Sequence, residues 1–150
     1  MIPQPRWTHI ALPAADVDAS IDWYERYTPL RVLSSMADDN GRSVWLGHPE
    51  PSDHPFILVL VEFAAEQGHR QPQLAPFAHI GIEVPSKDDV DSVAERARAE
   101  GCLAWEPQQI PPPVGYVCAA RDPDGNTVEF SFDQCVYAKA AEVWWRQSDQ

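Results

Sequence analysis

The sequence predicts an α+β fold built from two copies of one β-α-β-β-β module, and three observations carry that expectation. The halves open on related strands, Thr8-His9-Ile10-Ala11-Leu12 and Ala78-His79-Ile80-Gly81-Ile82. Each opening strand stops at a proline, Pro13 or Pro85, and Asp-Val-Asp recurs in the helix starts, at Asp16-Val17-Asp18 and Asp89-Val90-Asp91. Each half closes on a strand containing Val-Glu-Phe, with Glu62 in the first and Glu129 in the second. Fifty-three residues separate His9 from Glu62 and fifty separate His79 from Glu129, a recurrence that marks duplicated supersecondary units.

In chain order, residues 6–12 alternate and end at Pro13, as a strand does. Asp16 is placed to cap a helix to about Tyr27 whose buried stripe is Val17, Ile21 and Tyr24. Asp38-Asp39-Asn40-Gly41 is a turn between short strands at 31–36 and 42–46. Residues 56–63 are apolar on both faces until Glu62, so this strand is expected to be buried on both sides, with Leu58 and Leu60 forming a dry wall away from the helix. The polar run that follows reads as a linker. In the second half, Ser86 and Asp89 resemble a capping box ahead of a helical stripe, Val90, Val93, Ala94 and Ala97, that stops at Gly101. Strands are expected at 102–105, 116–121 and 126–132, with a Pro-rich loop at 107–113 and a Pro123-Asp124-Gly125-Asn126 turn. On the last strand Val128, Phe130 and Phe132 share one face, and Thr127, Glu129 and Ser131 the other. The organisation is therefore a first module at 1–64, a linker at 65–76, a second module at 77–132 and a helical extension at 133–150, where Tyr137, Ala140, Ala141 and Trp144 form a stripe.

Composition narrows the function. A chain of 150 residues with 44% hydrophobic content can bury a sizeable core, and a net charge of −12 disfavours nucleic acid and anionic membrane surfaces as partners. Neutral or cationic small molecules remain. Cys102, Cys118 and Cys135 have no metal-type spacing, and the N-terminus does not resemble a signal peptide, so a reducing cytoplasm is the default expectation. Cys118 reads as a small buried hydrophobe. Trp7, Trp23, Trp45 and Trp105 are expected in core or interface positions, with one of them available to line a cavity. Open sheet edges and the two-sided strand at 56–63 point to a homodimer.

The paired modules, the His in each first strand, the Glu in each last strand and the Asp122-Pro123-Asp124-Gly125-Asn126 turn resemble the vicinal oxygen chelate superfamily, which includes glyoxalase I, extradiol dioxygenases, fosfomycin-resistance enzymes and bleomycin-binding proteins. The resemblance implies a cupped eight-stranded arrangement with helices outside and a divalent metal inside (Zn, Ni, Co, Mn or Fe(II)), held by His9, Glu62, His79 and Glu129. Imidazole and carboxylate donors suit those ions, and four protein ligands leave two positions of an octahedron for adjacent substrate oxygens. Glu62 has two readings, because a register difference would put Leu60 at the metal position and leave Glu62 on the rim. Without Glu62 the remaining set is two His and one carboxylate, as in non-haem Fe(II) oxygenases.

Other positions depart from subfamily patterns. Extradiol and fosfomycin enzymes usually carry Tyr ten positions before the final Glu, where this chain has Ala119, the nearest Tyr being Tyr116. Glyoxalase I uses Arg and Asn for glutathione at positions held here by Pro13 and Glu66. The expected activity is a redox-neutral isomerase or lyase reaction on a small substrate with neighbouring oxygens, with Glu62 or Glu129 moving the proton. The alternatives are an Fe(II) dioxygenase and a metal-free drug-binding protein that uses acidic charge and tryptophan faces.

Overall fold

The computed structural model describes residues 7–51, 56–66 and 72–146. Its elements repeat one order twice: β1 (His9–Pro13), α1 (Val17–Tyr27), β2 (Arg31–Asp38), β3 (Gly41–Gly47) and β4 (Ile57–Phe63), then β5 (His79–Glu83), α2 (Lys87–Ala99), β6 (Leu103–Ile110), β7 (Gly115–Arg121) and β8 (Thr127–Phe132). A 3₁₀ turn at Ala64–Glu66 follows the first set and a helix, α3 (Val136–Arg146), follows the second. The strands form two four-stranded mixed sheets, β1-β4-β3-β2 and β5-β8-β7-β6, in which the first strand of each set pairs in parallel with the last. The chain packs as two compact units, one comprising Met1–Gln73 with Asp122–Asn126, the other Leu74–Arg121 with Thr127–Gln150.

In the first unit α1 starts at the expected cap, Asp16, whose carboxylate accepts the Ala19 N–H at 3.0 Å. Its buried stripe is Val17, Ser20, Trp23, Tyr24 and Tyr27, while Ile21 is half-buried, so the inward face is rotated from the expected one. Two aromatic rings account for the rotation, since Trp23 and Tyr27 stack with centroids 4.5 Å apart and bury far more area than Ile21 could. Leu12, Val44, Leu46, Leu58 and Leu60 form the core of the sheet.

The Asp122–Asn126 turn belongs to this same unit. Asp122, 4% exposed, accepts four hydrogen bonds: from Asp124 N and Asn126 N at Oδ1, and from Tyr24 Oη and Asn126 Nδ2 at Oδ2, at 2.8 to 3.1 Å. Asp124 in turn accepts the Ala15 N–H at 2.9 Å and the Ser20 hydroxyl at 3.4 Å. The turn that the sequence marks as a hairpin thus also receives backbone and side-chain donors at the entry of α1, where unpaired N–H groups and the helix dipole favour carboxylates.

The second unit follows its sequence closely around α2. Ser86 Oγ accepts the Asp89 N–H at 3.2 Å, and Val90, Val93, Ala94 and Ala97 are the buried stripe. Gly101 takes φ +72 just past the helix end, a conformation that favours glycine. The Pro-rich loop differs from expectation, because β6 runs on through Pro107 to Ile110. That is tolerated because β6 is the edge of its sheet and its pairing register shifts between Trp105 and Gln108, so the missing proline N–H breaks no regular ladder. Cys118 is fully buried, contacts the Val90 carbonyl, and has its thiol pushed up to about 12 chiefly by burial. The three cysteines form no disulfide, and α3 occupies the expected helical extension, with the Trp144 and Trp145 side chains outside the described set.

Candidate metal centre

Strand pairing decides which predicted donors share a face. His79 pairs with Thr127, and Glu129 lies two residues further along β8, so both side chains leave the same face of the sheet. His79 Nε2 and Glu129 Oε2 are 3.6 Å apart. In the first unit His9 pairs with Ile57, and Glu62 lies five residues further along β4. Five is odd, so Glu62 leaves the opposite face from His9.

Glu62 is therefore not a partner for His9. Its Oε2 accepts the Val17 N–H at 2.8 Å, at the first turn of α1. Leu58 and Leu60 share that helix-facing side, so they are core beneath α1 and not a wall beside the histidine. The residue that occupies in the first unit the place of Glu129 is Val59, paired with Ala11 as Glu129 is with Gly81. His9 itself is exposed, with Nδ1 2.8 Å from Thr8 Oγ1. Replacing Glu62 with alanine should cost roughly 1 kcal/mol of stability through the lost helix-end hydrogen bond. Urea denaturation measures this, and divalent-metal content should be unchanged; loss of metal in that variant would return Glu62 to the ligand set.

His79 and Glu129 turn their side chains toward each other. The Phe77 carbonyl can only accept, so its 2.6 Å contact with His79 Nδ1 puts a ring proton there and turns Nε2 toward Glu129. Glu129 is 6% exposed, and Gln134 Nε2 donates to its Oε1 at 2.8 Å. Two donors each about 2.1 Å from one ion stand roughly 3.0 Å apart at an octahedral angle and roughly 3.4 Å apart at a tetrahedral one. The observed separation is close to the second value and long for a direct hydrogen bond. The donor chemistry and spacing therefore fit a divalent ion. Among the described residues no three His, Cys, Asp or Glu side chains cluster, so by itself this pair would be only a partial ligand set.

Both residues line a cleft of about 430 Å³ in the second unit. Its walls are largely apolar, with Phe77, Trp105, Ile110, Val114 and Val117, and among the described residues no Lys or Arg lines it. One row across the sheet runs Gly81, Glu129, Ala119, Trp105, so the carboxylate is flanked by the two smallest side-chain positions. With only a methyl at Ala119, the Trp105 ring meets His79 edge-on at 5.2 Å, and Phe77 meets it at 5.4 Å. Tyr116 does not replace the missing phenol, because it lies on the other face of β7 and donates to Asp91 of α2 at 2.6 Å. That hydrogen bond is the main cause that raises its hydroxyl to about 12. The face holding Thr127, Glu129 and Ser131 is buried, not solvated as strand alternation alone suggests.

Sequence reasoning missed Phe77 and Gln134. Phe77 is 77% exposed and precedes the strand, and Gln134 sits in a turn whose left-handed residues, Asp133 and Cys135, carry no glycine signal.

Two repeated modules of this topology, the second bringing an imidazole and a carboxylate together from its first and last strands, define a paired βαβββ protein of the vicinal oxygen chelate type. The sequence profile of the Glyoxalase/Bleomycin resistance protein/Dioxygenase superfamily matches residues 6–130, and the chain belongs to that family. It is 39% identical over 132 residues to the uncharacterized protein PA2024 of Pseudomonas aeruginosa, covering 87% of this chain and 90% of that one. Among solved structures it is similar to the trypanothione-dependent glyoxalase I of Leishmania major (TM-score 0.66, 22% identity, 98% of this chain and 100% of that one). It is also similar to the fosfomycin resistance protein FosX of Listeria monocytogenes, complexed with Mn(II) and 1S,2S-dihydroxypropylphosphonic acid (TM-score 0.63, 17% identity, 93% and 99%). At these identities the solved structures establish the fold.

Proposed function

We propose that the protein is a metal-dependent enzyme that binds a small, uncharged substrate through adjacent oxygens and carries out a redox-neutral proton transfer of the lyase or isomerase type. The observation that carries this reading is the buried Glu129 carboxylate facing His79 Nε2 at 3.6 Å in an apolar cleft. A divalent ion held there would supply Lewis-acid polarisation of a carbonyl oxygen. His79 and Glu129 are the donors of the second unit, and the sequence repeat nominates His9 as a further imidazole. Glu129 is also the one carboxylate among the described cleft residues, which makes it the group to accept and return a proton. Trp105, Phe77, Ile110 and Val117 keep water from the reacting atoms and favour an apolar or aryl substituent. The absence of Lys and Arg from the described lining argues against a phosphonate such as the one bound to FosX, or a multiply anionic thiol.

A second reading has its own observation. With Glu62 capping α1, the nominated donors are His9, His79 and Glu129, the two-His, one-carboxylate set of Fe(II) oxygenases. Ala119 opposite Glu129 argues against it, since the phenol of extradiol relatives has no counterpart on that face. The aromatic cleft would also serve a metal-free drug binder.

One experiment separates the three. Protein purified without chelator is analysed for metal, then offered α-hydroxy-ketones, thiohemiacetals and catechols in D₂O with an oxygen electrode. Deuterium exchange at the substrate C–H without oxygen uptake is expected. Oxygen uptake with a catechol and no exchange would favour the oxygenase, and tight ligand binding by metal-free protein would favour the binder.

We further propose a homodimer. The edge strand β2 is exposed along its whole length, and Leu33, Met36 and Trp45 of the first sheet are exposed apolar side chains. A monodisperse monomer by light scattering at micromolar concentration would overturn this. The three cysteines form no disulfide, which suits a reducing cytoplasm, and no described helix is long and apolar enough to cross a membrane.

A further inference from the structure

We infer that Gln134 is a positioning residue that reserves one oxygen of Glu129 for the cleft by holding the other. The inference rests on the reading that Glu129 and His79 are metal donors. A carboxylate with two free oxygens can offer an ion either one or both, and each choice leaves a different number of positions for substrate. Here Gln134 Nε2 donates to Oε1 at 2.8 Å, while Oε2 is the oxygen 3.6 Å from His79 Nε2. The amide cannot be turned round without loss. An ionised carboxylate only accepts, which fixes the NH₂ end toward Glu129 and leaves the amide Oε1 to accept the Ser131 hydroxyl at 3.3 Å.

The backbone is shaped to make this contact. Gln134 lies between Asp133 at φ +61 and Cys135 at φ +57, two non-glycine residues in the left-handed region within three positions. Side chains with a Cβ rarely adopt that conformation, and a connection that needed only to reverse the chain from β8 into α3 could use glycine at either place. The Cys135 thiol donates to the Asp133 carboxylate at 3.3 Å, within the turn itself. The result carries Gln134 back onto the residue five positions earlier, on the buried face that bears Ser131 and Glu129. For a buried carboxylate whose described contacts are an amide and an imidazole, a cation in the cleft would supply further stabilisation, and the amide would decide which oxygen meets it.

The test uses Co(II) alone as the probe, with the full chain, Gln134→Ala, the similarly sized Gln134→Met and, as a reference, His79→Ala. Co(II) affinity is measured by competition with a chelating dye, the visible absorption spectrum reports coordination geometry, and the thermal midpoint is taken without metal. Both Gln134 variants are expected to lose about 10–100-fold in affinity and to change the spectrum. Ser131→Ala should lose less, because the amide remains but is free to rotate. A merely structural role would lower the metal-free midpoint and leave affinity and spectrum unmoved. Wild-type affinity and spectrum in Gln134→Met overturn the inference while the metal reading stands. If the wild-type chain fails to bind Co(II), or His79→Ala binds it equally well, the metal reading falls and this inference falls with it.

Discussion

Replacing Glu129 with glutamine is expected to lower divalent-metal affinity by at least ~100-fold and to abolish turnover, while leaving the metal-free protein as stable as the wild type or more so. The two effects share one cause. The Glu129 charge is buried against a neutral amide and an imidazole, with no Lys or Arg among the described residues of the cleft, so in the absence of a cation it carries a desolvation cost that glutamine does not. With an ion present the same charge is its strongest attraction in the second unit, and an amide oxygen is a poor substitute. Dialysis followed by elemental analysis, together with urea denaturation of metal-free protein, reads both. Stoichiometric metal in the variant removes Glu129 from the ligand set. A metal site there would trade stability for function, and the sign of the stability change would distinguish it from an ordinary buried hydrogen-bonded residue.

The largest stability effect should come from Asp122, which no functional reading invokes. Replacement with alanine is expected to cost about 3–5 kcal/mol, since it orphans the Tyr24 hydroxyl and two backbone N–H groups at a buried site. Tyr24→Phe should cost less, because Asp122 keeps its three other donors. Burial is the largest influence on the Asp122 carboxyl and raises it above its ordinary value of 3.8, against the lowering effect of its hydrogen bonds. A raised folded-state value means that its titration favours the folded state most below 3.8, an advantage lost as pH rises through the raised value. The stability advantage of the wild type over Asp122→Asn should therefore be larger near pH 4 than at pH 7. Urea midpoints of both proteins at the two pH values check the sign, and an advantage that grows with pH would show that the hydrogen bonds outweigh burial.

The repeat, the element order, the cap at Asp16, the α2 stripe and the turn at residues 122–126 were legible in the sequence because each is set by local rules. A cap needs an oxygen at one position, a turn needs proline and glycine, and a helix buries every third or fourth residue. The placement of Glu129 on the face away from the apolar layer was legible for the same reason, since strand alternation sets it. The first module misled. Val-Glu-Phe recurs there as letters, but three residues later in register than in the second module, so its glutamate falls on the wrong face and Val59 takes the matching place. Parity across a parallel pair is a property of two strands, and neither strand contains it alone.

Composition, charge and repetition by themselves determined that this chain is a duplicated α+β protein with an imidazole and a carboxylate to spend. Only tertiary structure decided where they are spent. Pairing of β5 with β8 brought His79 and Glu129 together, pairing of β1 with β4 sent Glu62 to the end of α1, and a three-residue turn with two left-handed φ angles delivered Gln134 to Glu129. The physical reason is range. Hydrogen-bonding propensity and hydrophobic period act over a few residues, whereas the side of a sheet on which a donor emerges depends on a register set between strands some fifty residues apart.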